Sequence, residues 1–279
     1  MITAAELQRL AAQTGVRLEM QERDYALGWF LLGLSETPGL CQALAFKGGT
    51  ALRKTYFPTY RFSEDLDFTL VRPVEKDKLQ GGVQAVCHQV QSTSGMQMWI
   101  ALWKQTRDVA GEEAYRARLA YVGPLGQRGP DPPRITLDLT HYELLVLPAA
   151  LRRIIHPYSD APRAPLQVPT YCLEEMLAEK LRALLRRCYP RDIYDVWYLL
   201  KHHDEGLDHS LLLHVLEEKC RHKGYSFSSA EDFLLPARRV GMSEAWNTSL
   251  QHLVSFPPTY EAVMTELETL LPHWLERQA

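Results

Sequence analysis

Two short segments that alternate strictly between apolar and polar residues constrain this chain most. In FSEDLDFTL, Asp65 and Asp67 alternate with apolar residues, and in RITLDLTHYE Asp138 does so. Because successive side chains of a strand point to opposite faces, each segment predicts a β-strand with one apolar and one acidic face. If the two strands are neighbours in one sheet, the three carboxylates share a face.

Three carboxylates this close repel one another unless a cation neutralises them. Hard oxygen ligands, completed by phosphate oxygens, suit Mg²⁺ or Mn²⁺. Two such ions, roughly 3.5–4 Å apart, would hold the attacking and leaving oxygens of a phosphoryl-type displacement. We therefore expect Asp65, Asp67 and Asp138 to be metal ligands and catalytic residues.

A glycine pair lies upstream of the first acidic strand. Gly48 and Gly49 precede a predicted short helix that Pro58 ends. Free N–H groups and the positive end of a helix attract phosphate, and glycine allows close approach. Thr50 is expected either to cap this helix or to donate to a phosphate. Alone, a glycine pair is typical of a turn, but its order before two acidic strands favours a nucleotide site.

The proline-rich stretch HPYSDAPRAPLQVP divides the chain. We predict a domain over residues 1–160, in which N-terminal helices precede the strands, and a helical domain over residues 161–279. Helical periodicity dominates from Thr170 onward. The active site is expected in the cleft between the two domains.

The helical half carries one lysine within an apolar stripe, Lys180. This side chain is expected either to snorkel from the edge of the stripe or to project toward a triphosphate. In the next predicted helix, Asp192 and Asp195 lie on one face, apart from its apolar residues. One of them is expected to pair with Lys180 or Arg191 and the other to begin the helix, and the sequence leaves open which.

Residues 180–191 are cationic and contain no acid. Such a run is either a solvated helix face or a surface for RNA phosphates. The candidate RNA-binding residues are Arg182, Arg186, Arg187 and Arg191. The histidine-rich stretch HHDEGLDH, by contrast, is predicted to be a solvated loop and not a metal site.

Composition limits the remaining classes of protein. The 279 residues are 46% hydrophobic with a net charge of −3, so an RNA partner would need a local basic patch. The five cysteines include no CxxC pair, which favours reduced thiols and a cytoplasmic protein. No segment predicts a membrane span or a signal peptide.

The order of glycine pair, helix and acidic strand resembles the nucleotidyltransferase superfamily typified by DNA polymerase β. More narrowly, KGGTALRK followed by RFSEDLDF is similar to the AbiEii/AbiGii toxin family, whose downstream motifs resemble LEEMLAEKLRALLRR and RDIYDVWYLL. The resemblance spans residues 45–200. It implies an α+β fold: a polymerase β-type domain with a mixed sheet flanked by helices, followed by an all-helical C-terminal domain.

The resemblance also implies an activity. The chain is expected to transfer a nucleoside monophosphate from an NTP to an acceptor hydroxyl, releasing pyrophosphate, as the toxin of a toxin–antitoxin pair. Its partners would be the NTP, an RNA acceptor such as tRNA, and a cognate antitoxin. The alternatives are a non-catalytic nucleotide- or RNA-binding scaffold, and an enzyme whose acceptor is a small molecule or a protein.

The same resemblance distributes roles over the motifs. Lys180, Asp192 and Asp195 join the catalytic set, since their motif belongs to the family's catalytic motifs. The nucleotide-binding residues predicted from the two upstream motifs are Gly48, Gly49, Thr50, Lys54, Arg61 and Ser63. Thr50 stands where the superfamily often has serine, and it keeps the hydroxyl.

Overall fold

A computed structural model describes residues 1–107, 113–141, 143–202, 206–236 and 239–275. The chain forms two compact units. The first comprises Met1–Glu143 and Ala149–Tyr171, and the second comprises Leu144–Pro148 and Cys172–Ala279. The segment Leu144–Pro148 therefore belongs to the second unit, although the chain returns to the first unit after it.

The first unit is built on one sheet of seven strands. The strands are β1 (Leu44–Lys47), β2 (Asp65–Leu70), β3 (Gln97–Arg107), β4 (Glu113–Val122), β5 (Arg134–Thr140), β6 (Ala150–Arg153) and β7 (Gln167–Thr170). Their order is β3-β4-β5-β2-β1-β7-β6. The sheet is mixed, because β2 runs parallel to β5 and β1 parallel to β7, while the other pairs are antiparallel.

The sequence-predicted strands are confirmed, and so is the mixed sheet flanked by helices. Strand β7 follows the predicted boundary at residue 160, yet it lies in the first unit because it pairs with β1. Helices of this unit are α1 (Ala4–Thr14), α2 (Leu18–Ser35), α3 (Pro38–Cys41), α4 (Gly48–Ala51) and α5 (Lys76–Ser94). A π-helical turn, Leu52–Tyr56, continues α4.

Local signals account for several helix ends. Thr3 accepts a hydrogen bond from the amide of Glu6 and so caps α1. Gly15 and Gly95 end α1 and α5 in the left-handed conformation. Helix α2 buries most of its length, since its residues pack on neighbouring elements on several sides.

The second unit is helical, as predicted. Its helices are α6 (Leu173–Arg186), α7 (Pro190–His202), α8 (His209–His222), α9 (Met242–Leu250) and α10 (Tyr260–Leu275), with a 3₁₀ turn at Ala230–Leu234. None of the helices in the described part of the chain is long and apolar enough to cross a membrane. The five cysteines, all among the described residues, form no disulfide.

Candidate active site

The acidic faces of β2 and β5 meet in the sheet. The two strands are parallel neighbours, with Asp67 opposite Asp138 and Asp65 opposite Thr136. Their alternate residues, including Leu66 and Leu137, are buried beneath them. The three predicted carboxylates therefore occupy one face of two adjacent strands, as the alternating pattern requires if the strands pair.

The glycine pair begins helix α4 directly above this row. Gly48 has φ +80°, and a Cβ on it would lie 2.6 Å from Oδ2 of Asp67. A Cβ on Gly49 would lie 2.7 Å from a guanidinium nitrogen of Arg61. Both distances are shorter than nonbonded atoms tolerate. Gly48 is thus required both by its backbone conformation and by the close approach of the Asp67 carboxylate.

Thr50 has a different contact from either one predicted. Its hydroxyl is buried and donates to the backbone carbonyl of Asp65, so it fixes the start of β2 against α4. The prediction that Thr50 caps the helix is wrong, because the capping position belongs to Lys47. A contact between Thr50 and phosphate stays a prediction.

Lys54 lies in a buried ion cluster. Its ammonium is 2.6 Å from Oδ2 of Asp24, and Nε of Arg53 is 2.8 Å from Oδ1 of the same carboxylate. The Tyr158 hydroxyl donates to Asp24 as well, at 2.7 Å. The predicted nucleotide contact of Lys54 is corrected here: its ammonium is enclosed in the core and neutralises Asp24, so it does not face a nucleotide.

Electrostatics explain why the members of this buried cluster stay charged. Burial by itself would raise the pKa of Asp24, but the adjacent charges of Lys54 and Arg53 outweigh it and hold that pKa below its ordinary value. Burial lowers the pKa of Lys54, and the Asp24 carboxylate opposes that shift. The cluster anchors the turn that follows Gly48 and Gly49 to helix α2 and thereby positions the glycines.

Two further predicted nucleotide ligands flank the carboxylates. Arg61 is buried, stacks 5.4 Å from the ring of Tyr60 and donates to the carbonyl of Phe62 at 3.1 Å. Ser63 is partly buried, two residues before Asp65. Both lie in the segment that leads into β2, and their contact with nucleotide remains a prediction.

The row of carboxylates is flanked on both sides by cations that the sequence alone did not reveal. Lys47 on β1 lies opposite Asp67, and Arg116 on β4 lies opposite Asp138. Nε and Nη2 of Arg116 donate to the two oxygens of Asp138 at 2.6 and 2.9 Å. These hydrogen bonds, then the charge of Asp138 and the more distant charges of Asp65 and Asp67, raise the pKa of Arg116.

A signal for Arg116 is present in the sequence. In AYRARLAYV, Arg116 and Arg118 alternate with buried residues, so they share the polar face of their strand. The antiparallel register between β4 and β5 could not be read from that pattern. Without the register, Arg116 could not be assigned to Asp138.

The donor set fits a divalent cation only in part. Asp65 and Asp67 offer hard carboxylate oxygens on one face, and Gly48 leaves space beside Asp67. Both oxygens of Asp138, however, bind Arg116. Among the described residues no group of three or more His, Cys, Asp or Glu side chains is arranged to hold a metal ion. Asp138 would have to exchange Arg116 for the metal.

In the second unit, Lys180 pairs with both predicted aspartates. Its ammonium lies 3.1 Å from Oδ1 of Asp192 and 2.8 Å from Oδ2 of Asp195. Asp192 is also bound by Arg187 at 2.9 Å. Burial would raise the pKa of Asp192, but the charges of Lys180 and then Arg187 outweigh burial and lower it. The question that the sequence left open is answered: Lys180 contacts both carboxylates.

The four candidate RNA-binding arginines differ in their surroundings. Arg187 pairs with Asp192, as described above, and stacks 5.0 Å from the ring of Tyr189. A guanidinium nitrogen of Arg191 lies 3.2 Å from Nε2 of His252. Arg186 is exposed, while Arg182 is partly buried. RNA binding by this set stays a prediction.

The predicted histidine-rich loop lies partly outside the described residues, which omit 203–205. His202 ends α7, and His209 begins α8. Burial and the nearby charge of Lys201 lower the pKa of His202.

The chain resembles known proteins in both sequence and structure. The sequence model of the family described as "Nucleotidyl transferase AbiEii toxin, Type IV TA system" matches residues 29–271. Among solved structures, the chain is similar to MenT4, a nucleotidyltransferase toxin from Mycobacterium tuberculosis, with a TM-score of 0.70 and 24% identity over 100% of this chain and 91% of that one. At this identity the likeness demonstrates a shared fold. No curated protein sequence matches the chain significantly.

Proposed function

The chain belongs to the AbiEii family of nucleotidyltransferase toxins of type IV toxin–antitoxin systems, and from this premise we propose that it transfers a nucleoside monophosphate to an RNA hydroxyl with the help of Mg²⁺ or Mn²⁺. The family implies an NTP substrate and a cognate antitoxin. Family membership does not specify the acceptor, the metal or the roles of individual residues, and these are what we propose.

One observation carries this proposal: Asp67 and Asp138 lie opposite each other on neighbouring strands, with Asp65 beside them. Asp65 and Asp67 would hold the metal, and Asp138 would complete the site after releasing Arg116. The metal, when bound, supplies positive charge for the attacking and leaving oxygens. The N–H groups at Gly48 and Gly49 would bind the triphosphate.

The reaction also needs a base that takes the proton of the acceptor hydroxyl, and this chain supplies one. Asp138 accepts the proton of the acceptor hydroxyl, whose oxygen bonds to the α-phosphorus. The bond from that phosphorus to the bridging oxygen breaks, and pyrophosphate leaves with the electron pair. Lys180 is proposed to neutralise phosphate charge, with Asp192 and Asp195 orienting its ammonium.

The test is to incubate the protein with each labelled NTP and total RNA, with and without a chelator. We expect label to enter RNA only when divalent metal is present, and Asp138→Asn to lower the rate about 10²-fold or more, the scale of a lost general base. Label that enters protein or a small molecule instead would identify a different acceptor.

A second candidate function is favoured by the Arg116–Asp138 pair. Because Arg116 already neutralises Asp138, the face could serve a non-catalytic nucleotide- or RNA-binding scaffold. That alternative predicts NTP binding without release of pyrophosphate at any metal concentration. Metal-dependent pyrophosphate release that Asp138→Asn suppresses would reject it.

A further inference from the structure

The first unit contains a cavity lined by basic residues beside the carboxylate row. Its volume is about 380 Å³, and its charged lining consists of three arginines, Arg23, Arg118 and Arg134, against one aspartate, Asp131. Thr136 lines it as well. Asp131 pairs with Arg134, so the lining keeps more positive than negative side chains, which favours anions over metal ions.

Strand register fixes the position of the cavity relative to Asp65. Thr136 on β5 is opposite Asp65 on β2 and opposite Arg118 on β4. Since neighbouring strands lie about 4.8 Å apart, Arg118 is two strand spacings from Asp65. The cavity therefore borders the proposed reaction centre on the side away from Gly48 and Gly49.

The polar face changes charge across the sheet. Asp65, Asp67 and Asp138 occupy β2 and β5, whereas Arg118 on β4 and Lys104 on β3 are basic and exposed. Within the described part of the chain, Lys104 and Arg118 have no ion-pair partner. Arg134 and Arg23 are each bound to one carboxylate, Asp131 at 2.8 Å and Glu64 at 2.6 Å.

An aromatic side chain lies on the same face at the sheet edge. Trp99 on β3 is opposite Ala120, which is opposite Arg134 on β5. Trp99 is 41% exposed. Exposed aromatic rings interleaved with cations are the usual means of binding single-stranded nucleic acid, because bases stack on the ring while the cations contact phosphates.

We propose that the basic face of β3, β4 and β5, formed by Lys104, Arg118, Arg134 and Trp99, binds the strand of the acceptor RNA that carries the reacting hydroxyl. This inference rests on the proposed function. If the triphosphate lies at Gly48 and Gly49, on the β1 side of the carboxylates, the acceptor must approach from the other side. On that side lie β5, β4 and β3, which carry Arg134, Arg118 and Lys104.

The test is a binding assay without NTP. The probe is a fluorescently labelled single-stranded oligoribonucleotide with a free 3′ hydroxyl, and the variant is Lys104→Glu with Arg118→Glu. We expect binding to weaken about tenfold or more, and the log–log dependence of affinity on salt to fall by about 0.7 per lost phosphate contact. Trp99→Ala is expected to weaken binding about fivefold and to leave the salt slope unchanged.

Arg153→Glu is the matched control, since Arg153 is an exposed strand arginine on β6 at the opposite sheet edge. It should bind the oligoribonucleotide like the parent. The milder Arg118→Gln should reproduce part of the loss, which separates charge from misfolding. NTP affinity should be unchanged in every variant.

Two results would overturn the inference. One is parental RNA affinity and salt slope in the double variant; the other is a loss of NTP affinity, which would make the cavity part of the nucleotide site. Failure of the proposed function is recognised separately: the parent would bind the oligoribonucleotide through this face without labelling any RNA from NTP.

Discussion

Asp138 and Asp24 each bind an arginine, but in opposite surroundings. The Asp138 and Arg116 side chains are 24% and 55% exposed. Asp24 is 1% exposed and is enclosed by Arg53 and Lys54. The same pairing of carboxylate and cation thus occurs once at the polar face of the sheet and once in the core.

The difference decides which carboxylate can change partners. An exposed ion pair contributes about 0–1 kcal/mol, so water, metal or substrate can replace either member. Removing one member of a buried pair leaves an uncompensated charge and costs about 3–5 kcal/mol. We infer that Asp138 is exchangeable and Asp24 is fixed, although the two sequence contexts do not reveal this.

The largest expected effect is on activity at the exposed site. Asp67→Asn should lower nucleotide transfer about 10³-fold, the upper scale for one lost electrostatic stabiliser, because it removes a proposed metal ligand. Thermal unfolding in metal-free buffer should show nearly parental stability, because the substitution removes repulsion with Asp65 and also attraction to Arg116. Parental transfer rates in this variant would remove Asp67 from the mechanism.

The next effect is on stability in the core. Asp24→Asn leaves Arg53 and Lys54 without their carboxylate, and the free energy of unfolding should fall by about 3–5 kcal/mol. Urea denaturation would measure it. If Asp24→Asn unfolds no more easily than Glu64→Gln, which breaks the more exposed pair with Arg23, the contrast between core and surface is wrong.

Acid titration sharpens the same comparison. The pKa of Asp24 is lowered from its ordinary 3.8, so its contribution to stability is present above that value and is lost as the pH falls toward the folded-state pKa. The parent should therefore lose stability steeply below about pH 4, and Asp24→Asn should lose less of it. Equal acid slopes in the two proteins would contradict the buried pairing.

Lys180→Met tests a cluster of intermediate exposure. Lys180 is 17% exposed and faces two buried carboxylates, so the substitution should destabilise the protein, contrary to the neutral effect expected of a snorkelling lysine. Transfer should fall about 10²-fold if Lys180 also neutralises phosphate charge. Lys201→Met, at an exposed pair with Glu266, is the control. Full activity in the folded Lys180 variant would reject its catalytic role.

The smallest expected effect concerns Arg116. Arg116→Gln should change stability by less than about 1 kcal/mol, because the pair is exposed. It frees Asp138, so half-maximal activity should require less Mn²⁺ than in the parent. A metal requirement that is unchanged or higher would show that Arg116 does not compete with the metal for Asp138.

The sequence was sufficient for features that depend on local periodicity. Alternation predicted β2 and β5 and placed Asp65, Asp67 and Asp138 on polar faces. It could not predict contacts between distant segments. From the sequence, Lys54 was expected to bind phosphate, but in the structure its ammonium pairs with Asp24 on helix α2. Register decides the rest, since Arg116 meets Asp138 only through the pairing of β4 with β5.

The segment Leu144–Pro148 has a consequence for synthesis on the ribosome. In the second unit, the carboxylate of Glu175 accepts hydrogen bonds from the backbone amides of Val146 and Leu147. The ammonium of Lys219 donates a hydrogen bond to the backbone carbonyl of Leu144 at 2.8 Å. These donors and acceptors are translated before the helices that bury them. Leu144–Pro148 therefore waits on the ribosome for helices made later, and a gene fragment starting at Cys172 would encode helices whose buried Glu175–Lys219 pair lacks these backbone partners.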